Sequence, residues 1–349
     1  MTTATLAADA GNERSENAAD MSGWRAIVAR YQGSSVGRAY LQMATTLIPL
    51  GLCLWAMYAS LALPYIVTLL LAVPTAGFLV RTFIIMHDCA HGSFLPWRRV
   101  NEALGFVTGV LTLTPFAQWR RDHALHHASS GDLDRRGHGD VATLTVREYL
   151  ALSPMARLKY RIFRHPAALL GVGPLHLMVN QRFRPRGTAT GSKQLYSVWY
   201  TNIAILALIV AFSFLIGLKA VVLIYLPAMY IAGAAGVWLF YVQHQFEETY
   251  WEPHQEWDYV TSAMRGSSHL DLPRVLRWFT GNIGLHHVHH LGPRIPNYNL
   301  QRCHNENPVF HQVTRITLAQ AVSALRLSLW DEEQRKLVSF RQAVHAPSR

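Results

Sequence analysis

The chain is short of charge. Only 15% of its 349 residues are Asp, Glu, Lys or Arg, while 50% are hydrophobic; an ordinary soluble domain carries about 25% charged residues. That deficit points to lipid as the solvent for part of the chain. Cysteine is scarce as well: Cys53 lies in an apolar run, Cys89 between two histidines, and Cys303 after an arginine. With no paired spacing, neither a disulfide framework nor a CxxC metal site is indicated. Acidic residues number 21 against 32 basic ones, for a formal net charge of +11. No basic run is interleaved with stacking aromatics, which sets nucleic acid aside. Cytoplasmic loops of membrane proteins collect Lys and Arg in this way. The N-terminus lacks the basic stretch, short apolar core and cleavage site of a secretory signal. Residues 1–20 are polar, small and acidic, and are expected to be disordered.

What the chain does have is four apolar runs, at 41–61, 64–86, 199–218 and 220–242, the second interrupted only by Arg81. A helix needs about 20 apolar residues to cross a bilayer, so each run is expected to span. They pair as two hairpins, one joined without a charged residue and the other by a turn near Gly217 that carries only Lys219. Two shorter apolar stretches, 103–116 and 167–179, are broken by Gly or Pro and are predicted to be re-entrant or interfacial. The middle segment carries Arg120, Arg121, Arg135, Arg136, Arg147, Arg157, Lys159, Arg161, Arg164, Arg182, Arg184 and Arg186. The hairpin tips are almost bare, so both termini and the middle segment should face the cytoplasm. Further helices are expected around 272–281 and 317–329, with Pro293 and Pro296 breaking the chain between them. The expected architecture is an all-α integral membrane protein: four transmembrane helices in two hairpins and a cytoplasmic helical cap. Residues 1–40 form an N-terminal cytoplasmic segment, 41–330 the membrane domain and 331–349 a cytoplasmic tail.

Histidine is arranged in clusters at helical spacing. His87 and His91 stand four apart, so one helical face carries both rings. His123, His126 and His127 stand at relative positions 0, 3 and 4, and His286, His289 and His290 repeat that pattern. His244 falls just beyond the fourth run. If 103–116 does not span, all of these lie on one side of the membrane and can face one site holding two metal ions. His287 is off register by about a third of a turn and is expected to be structural or to support a ligand. His138, His165, His254, His304, His311 and His345 read as surface-loop histidines, and His176 and His269 are left open.

Neutral imidazole suits Zn, Cu, Fe and Ni. A zinc hydrolase normally uses three protein ligands, whereas here nine histidines are available and no thiolate is offered at ligand spacing. Two redox-active metals beside lipid suit oxygen chemistry on an apolar chain, since an unactivated methylene has no proton that a Glu or His base could remove. Ligating imidazoles usually donate their other N–H to a carboxylate or carbonyl. Asp88, Asp122, Glu247, Glu248 and Asp271 stand near the clusters and could serve. Trp119, Trp251 and Trp278 could wall an apolar channel, though interfacial aromatics are equally expected in any membrane protein.

The runs HDCAHGSF, WRRDHALHHASSGDLD and GLHHVHHLGPRIPNY resemble the three histidine boxes of membrane fatty acid desaturases. The flanking GDVATLTVREY, RHP and YVQHQFEETYW are similar to those of bacterial omega-6 (delta-12 type) acyl desaturases, and the likeness covers about residues 40–330. It implies a four-span protein with a cytoplasmic cap holding a non-haem di-iron centre. His87 and His91 would match the first box, His123, His126 and His127 the second, and His286, His289 and His290 the third. His244 would match an extra ligand near the end of the last span. Such enzymes use molecular oxygen, take electrons from a ferredoxin or cytochrome b5, and insert a cis double bond into a long acyl chain. No HPGG haem-binding motif is present, so the donor is expected to be a separate protein. Ala90 stands where the first box frequently has Gly.

Three rivals share some of these features. A hydroxylase, ketolase or acetylenase would use the same boxes. A zinc protease using HDCAH in place of HExxH would leave the other clusters unexplained. A metal transporter would place polar residues within the spans, which are almost free of them.

Overall fold

The computed structural model describes residues 21, 23–137, 141–183 and 191–345; the expectation of disorder for 1–20 lies outside them. The first long helix, α1 (Val36–Ala59), starts where the Ser35 hydroxyl accepts from the Arg38 amide, and α2 (Tyr65–His91) ends on Gly92 at φ 67°. That left-handed residue is the usual stop for a helix, because glycine meets no side-chain penalty there. Ser60 bonds Thr68 at 2.8 Å, Thr75 reaches Met57 at 3.2 Å, and Arg81 Nε donates to Thr46 at 3.1 Å. The partners draw apart in sequence away from the connecting turn, so α1 and α2 run antiparallel. Arg81, the one charge in the second apolar run, is buried and stacks over Trp278, 4.0 Å from its ring centre.

α3 (Arg98–Leu111) and α4 (Phe116–Ser129) are joined by an elbow and bent by 100°. Two glycines permit the close approach. A Cβ on Gly105 would lie 2.2 Å from the Phe116 ring, and one on Gly109 would lie 2.6 Å from the Thr114 carbonyl. At the elbow the Leu111 carbonyl accepts from Tyr225 and the Leu113 carbonyl from Arg182. Irregular backbone at membrane depth is tolerated only where protein satisfies it. The stretch expected to be too short to span is thus half of a bent pair.

α5 (Ala168–Asn180) opens with a π-helical turn and packs on the last long helix, with Tyr230 donating to the Gly171 carbonyl at 3.1 Å. α6 (Ser192–Ile216) and α7 (Leu218–His244) meet at Gly217. Among the described residues four helices, α1 with its short extension, α2, α6 and α7, are long and apolar enough to cross a membrane. α1 and α6 start before their apolar runs, at Val36 and Ser192, and α2 and α7 continue past theirs to His91 and His244, through turns that carry polar residues. α7 and α2 share the largest apolar core with α1, whereas α6 leaves most of its side chains exposed, Phe214 at 88%.

The remaining chain folds against one end of these helices. The short α8 (His286–Leu291) is buried at every position, and α9 (Asn297–Glu306) packs beside it. Tyr31, from the segment before α1, donates to Glu306 at 2.7 Å and locks the N-terminal region onto α9. The expected 272–281 and 317–329 helices are present as Arg274–Phe279 and Leu318–Ala324, the latter held by a Thr317–Gln320 capping box. The fold is not purely helical. Strands Leu144–Thr145, Leu329–Asp331 and Lys336–Val338 form a three-stranded sheet, the first pair parallel and the second antiparallel. His269–Leu270 pairs with Arg315–Ile316. Trp330, Leu337, Val338 and Ala343 are all buried, so residues beyond 331 are packed into the protein.

Candidate metal centre

Helical spacing on α2 and α4, the end of α7, and the register of α8 deliver imidazoles to one place. His87, His91, His123 and His289 each offer a nitrogen within 4.8 Å of the others, and so do His126, His244, His286 and His290. In the first group the Nε2 atoms form a chain: His289 to His87 at 3.1 Å, His87 to His123 at 3.1 Å, and His123 to His127 at 3.1 Å. In the second, His244 Nε2 lies 3.1 Å from His126 and 2.9 Å from His286. His127 stacks on His290 at 4.2 Å and bridges the groups.

These distances carry chemical meaning. An octahedral ion bonded to nitrogen at about 2.1 Å holds neighbouring donors about 3.0 Å apart, and a tetrahedral one about 3.4 Å apart. A string of Nε2 atoms facing one another at that distance suits a shared cation better than hydrogen bonds, since each neutral ring has only one proton to give. His91 Nε2 and His290 Nε2 are buried with no hydrogen-bond partner, a costly arrangement unless a metal occupies those lone pairs. Burial, and then the neighbouring rings, hold His286, His289 and His290 well below the usual imidazole pKa. They are therefore neutral, the form that ligates metal. The set fits two metal ions, one at each group of four, with His127 between the groups.

Support behind the rings is specific. His87 Nδ1 lies 3.0 Å from Asp88, whose other oxygen accepts from the Asn297 amide and side chain at 2.6 and 2.7 Å. His244 Nδ1 donates to the Gly266 carbonyl at 3.0 Å. Both bonds turn Nε2 towards the cluster. Neither Asn297 nor Gly266 is marked by histidine spacing; Asn297 sits in the PNY that trails the third box, and a carbonyl leaves no sequence signal. Of the other acids, Asp122 accepts from Gln118 at 2.8 and 3.0 Å. Glu247 is exposed and pairs with Lys336 at 3.4 Å, Glu248 is exposed, and Asp271 pairs with Arg315 at 2.5 Å. The structure brings Asp88 to the cluster, leaves Glu247 and Asp271 on Lys336 and Arg315, and leaves Glu248 exposed.

His287 points away from the cluster, towards His304 at 3.3 Å. His304 corrects the surface-loop expectation: Leu300, Cys303 and His304 form the buried face of α9. His165, His254 and His311 are exposed, as is His176; His269 is half-buried beside His304, 4.9 Å between ring centres. His138 lies outside the described residues, as does the His345 side chain. Trp119 stacks on His123 at 4.3 Å, and Trp251 helps line a small cavity beside His244. Trp278 packs instead on Phe78 and Arg81.

A sequence model of the fatty acid desaturase family matches residues 60–317. The chain belongs to that family. The desaturase is 43% identical to a fatty acid desaturase of Bacillus subtilis, over 92% of this chain and 91% of that one. It is 26% identical to the sn-1 oleoyl-lipid 12-desaturase of Synechocystis, over 75% of this chain and 74% of the other. To a chloroplastic omega-6 fatty acid desaturase of Brassica napus it is 25% identical, over 64% of this chain and 49% of that protein. Membership makes the desaturase an oxidoreductase, and its four apolar helices mark it as a membrane protein.

Proposed function

We propose that this desaturase inserts a cis double bond into a long-chain, monounsaturated acyl group, in an omega-6 (delta-12 type) reaction on an acyl lipid or acyl-CoA. The observation that carries the proposal is the convergence of His87, His91, His123, His126, His127, His244, His286, His289 and His290 at one end of membrane-length helices. These nine would hold two non-haem iron ions, which with molecular oxygen and electrons from a separate ferredoxin or cytochrome b5 type donor supply the oxidising power to break an unactivated C–H bond. The chain's own residues do the rest. The Asp88–Asn297 pair and the Gly266 carbonyl fix two rings with Nε2 inward. Seven of the nine residues are buried and His91 and His123 half-buried, which limits the access of water to the group. In this arrangement α1 with α2 and α6 with α7 form two hairpins in a bacterial inner membrane, with both termini, the cap and the metal site cytoplasmic. The omega-6 assignment draws on the Synechocystis and Brassica relatives, whose names carry a 12-desaturase and an omega-6 activity.

The test is the fatty acid profile of a host that makes oleate and expresses this chain, with double bonds located by mass spectrometry. An eighteen-carbon acid unsaturated at carbons nine and twelve is expected. A hydroxylated or keto acid in its place would overturn desaturation, and a double bond elsewhere would overturn the omega-6 assignment alone.

A further inference from the structure

Away from the histidines, a cavity of about 440 Å³ lies between α3, the start of α4 and the start of α6. That volume falls in the usual range for a small-molecule site. Phe106, Phe116 and Tyr196 supply apolar wall, and Glu102, Arg120 and Lys193 supply charge. One carboxylate here serves three cations: Glu102 lies 3.4 Å from Arg120, 3.6 Å from Lys193 and 3.6 Å from Arg98. Positive charge is left in surplus. α6 begins at the same place with no side-chain cap and no acid in its first turn, so its N-terminal amides add to the positive field. The flank is otherwise exposed and aromatic, with Tyr196 at 55% and Trp199 at 58%, the composition of a membrane–water boundary. Arg120 stands three residues before His123, one turn away on the same helix.

We propose that this cavity seats the phosphate-bearing headgroup of a membrane phospholipid, and that the acyl group on which the histidine centre acts is carried by that lipid. Arg120 and Lys193 contact the phosphate, and the aromatic wall receives the first part of the chain. Two forked or ammonium donors on one phosphate make charge-assisted bonds, while the apolar wall beside an exposed membrane-length helix suits a bilayer lipid rather than a soluble carrier. The inference rests on the desaturase proposal for the chemistry, but the site can be tested without turnover.

The experiment is native mass spectrometry of the purified full-length protein presented with dioleoyl phosphatidylglycerol, dioleoylglycerol or oleoyl-CoA. Wild type should retain the phospholipid in preference to the diacylglycerol, which lacks the phosphate. Arg120→Gln combined with Lys193→Gln should lower phospholipid retention about 100-fold, roughly tenfold for each charged contact, and leave diacylglycerol retention unchanged. Glu102→Gln should act in the opposite direction, since it releases both cations, and it guards against a double variant that fails to fold. Equal retention of the two lipids by wild type overturns the proposal. So does unchanged phospholipid retention in both variants, or displacement of the phospholipid by oleoyl-CoA. A chain that holds phospholipid through Arg120 and Lys193 yet desaturates nothing keeps this site and removes the function proposed above. One that desaturates while ignoring the phosphate removes this site alone.

Discussion

Two neighbourhoods of histidine share the wall of α8, and they use the residue in opposite ways. On one side His286, His289 and His290 turn their rings into a group whose Nε2 atoms face one another, two of them buried without a partner. On the other, His287 meets His304, and His311 donates to the His304 carbonyl at 2.9 Å. Residue type and burial are nearly the same: His287 and His304 are buried, as are His286, His289 and His290. The difference is direction. One residue step on a helix turns a side chain by about 100°, set by 3.6 residues per turn, which separates His287 from its neighbours on α8. A buried histidine is therefore no sign of a metal; converging lone pairs are.

The contrast can be broken most decisively from the converging side. His126→Ala, His286→Ala or His289→Ala is expected to cut desaturation by more than roughly 100-fold and to lower iron per chain, with membrane insertion intact. Fatty acid profiles beside elemental analysis would show it, and retained turnover would remove that residue from the ligand set. Next in size is Asp88→Asn, which weakens the grip on His87; metal retention should fall about 10- to 100-fold against a chelator. Unchanged retention would make the Asp88–Asn297 pair a structural bond only.

On the other side of α8 the expectation reverses. His287→Ala should keep its metal but lose about 2 kcal/mol of stability as a buried ring is deleted, read as an earlier thermal transition. Metal loss equal to that of His286→Ala would show that the two neighbourhoods are one site. A smaller effect comes from His304, whose pKa is pushed down to about 4 by burial and then by His269 and His311. Unfolded histidine titrates near 6.5, so the unfolded chain takes up this proton first. The stability due to neutral His304 is complete above about pH 6.5 and is lost as pH falls towards 4. Thermal scans between pH 7 and 5 should therefore slope less for His304→Gln than for wild type. Smallest of all, Glu247→Gln and Asp271→Asn should leave metal content unchanged and stability within about 0.5 kcal/mol, because each acid is engaged with a surface cation.

The histidine spacing was legible because helices impose it: positions 0, 3 and 4 share a face whatever surrounds them. The apolar runs were legible because lipid tolerates little else. What the sequence hid depends on partners distant along the chain. Strands of two or three residues, such as Leu144–Thr145, are too short to show a period. Arg164 read as one more cytoplasmic charge, yet it is buried and donates to Tyr241, Gln245 and three other acceptors, none of them a carboxylate. His304 resembles a surface residue in the sequence because Leu300 and Cys303, which share its buried face, make too short an apolar stripe within a polar helix.

The way the histidines are distributed also constrains how the protein is made. His87 and His91 leave the ribosome early, yet each group of converging rings includes members of α8, far along the chain. Neither position can close until that late segment has been synthesised and has folded back against helices already in the bilayer. A nascent chain halted before His286 lacks members of both groups, so metal held as proposed would be taken up only after that late segment is in place.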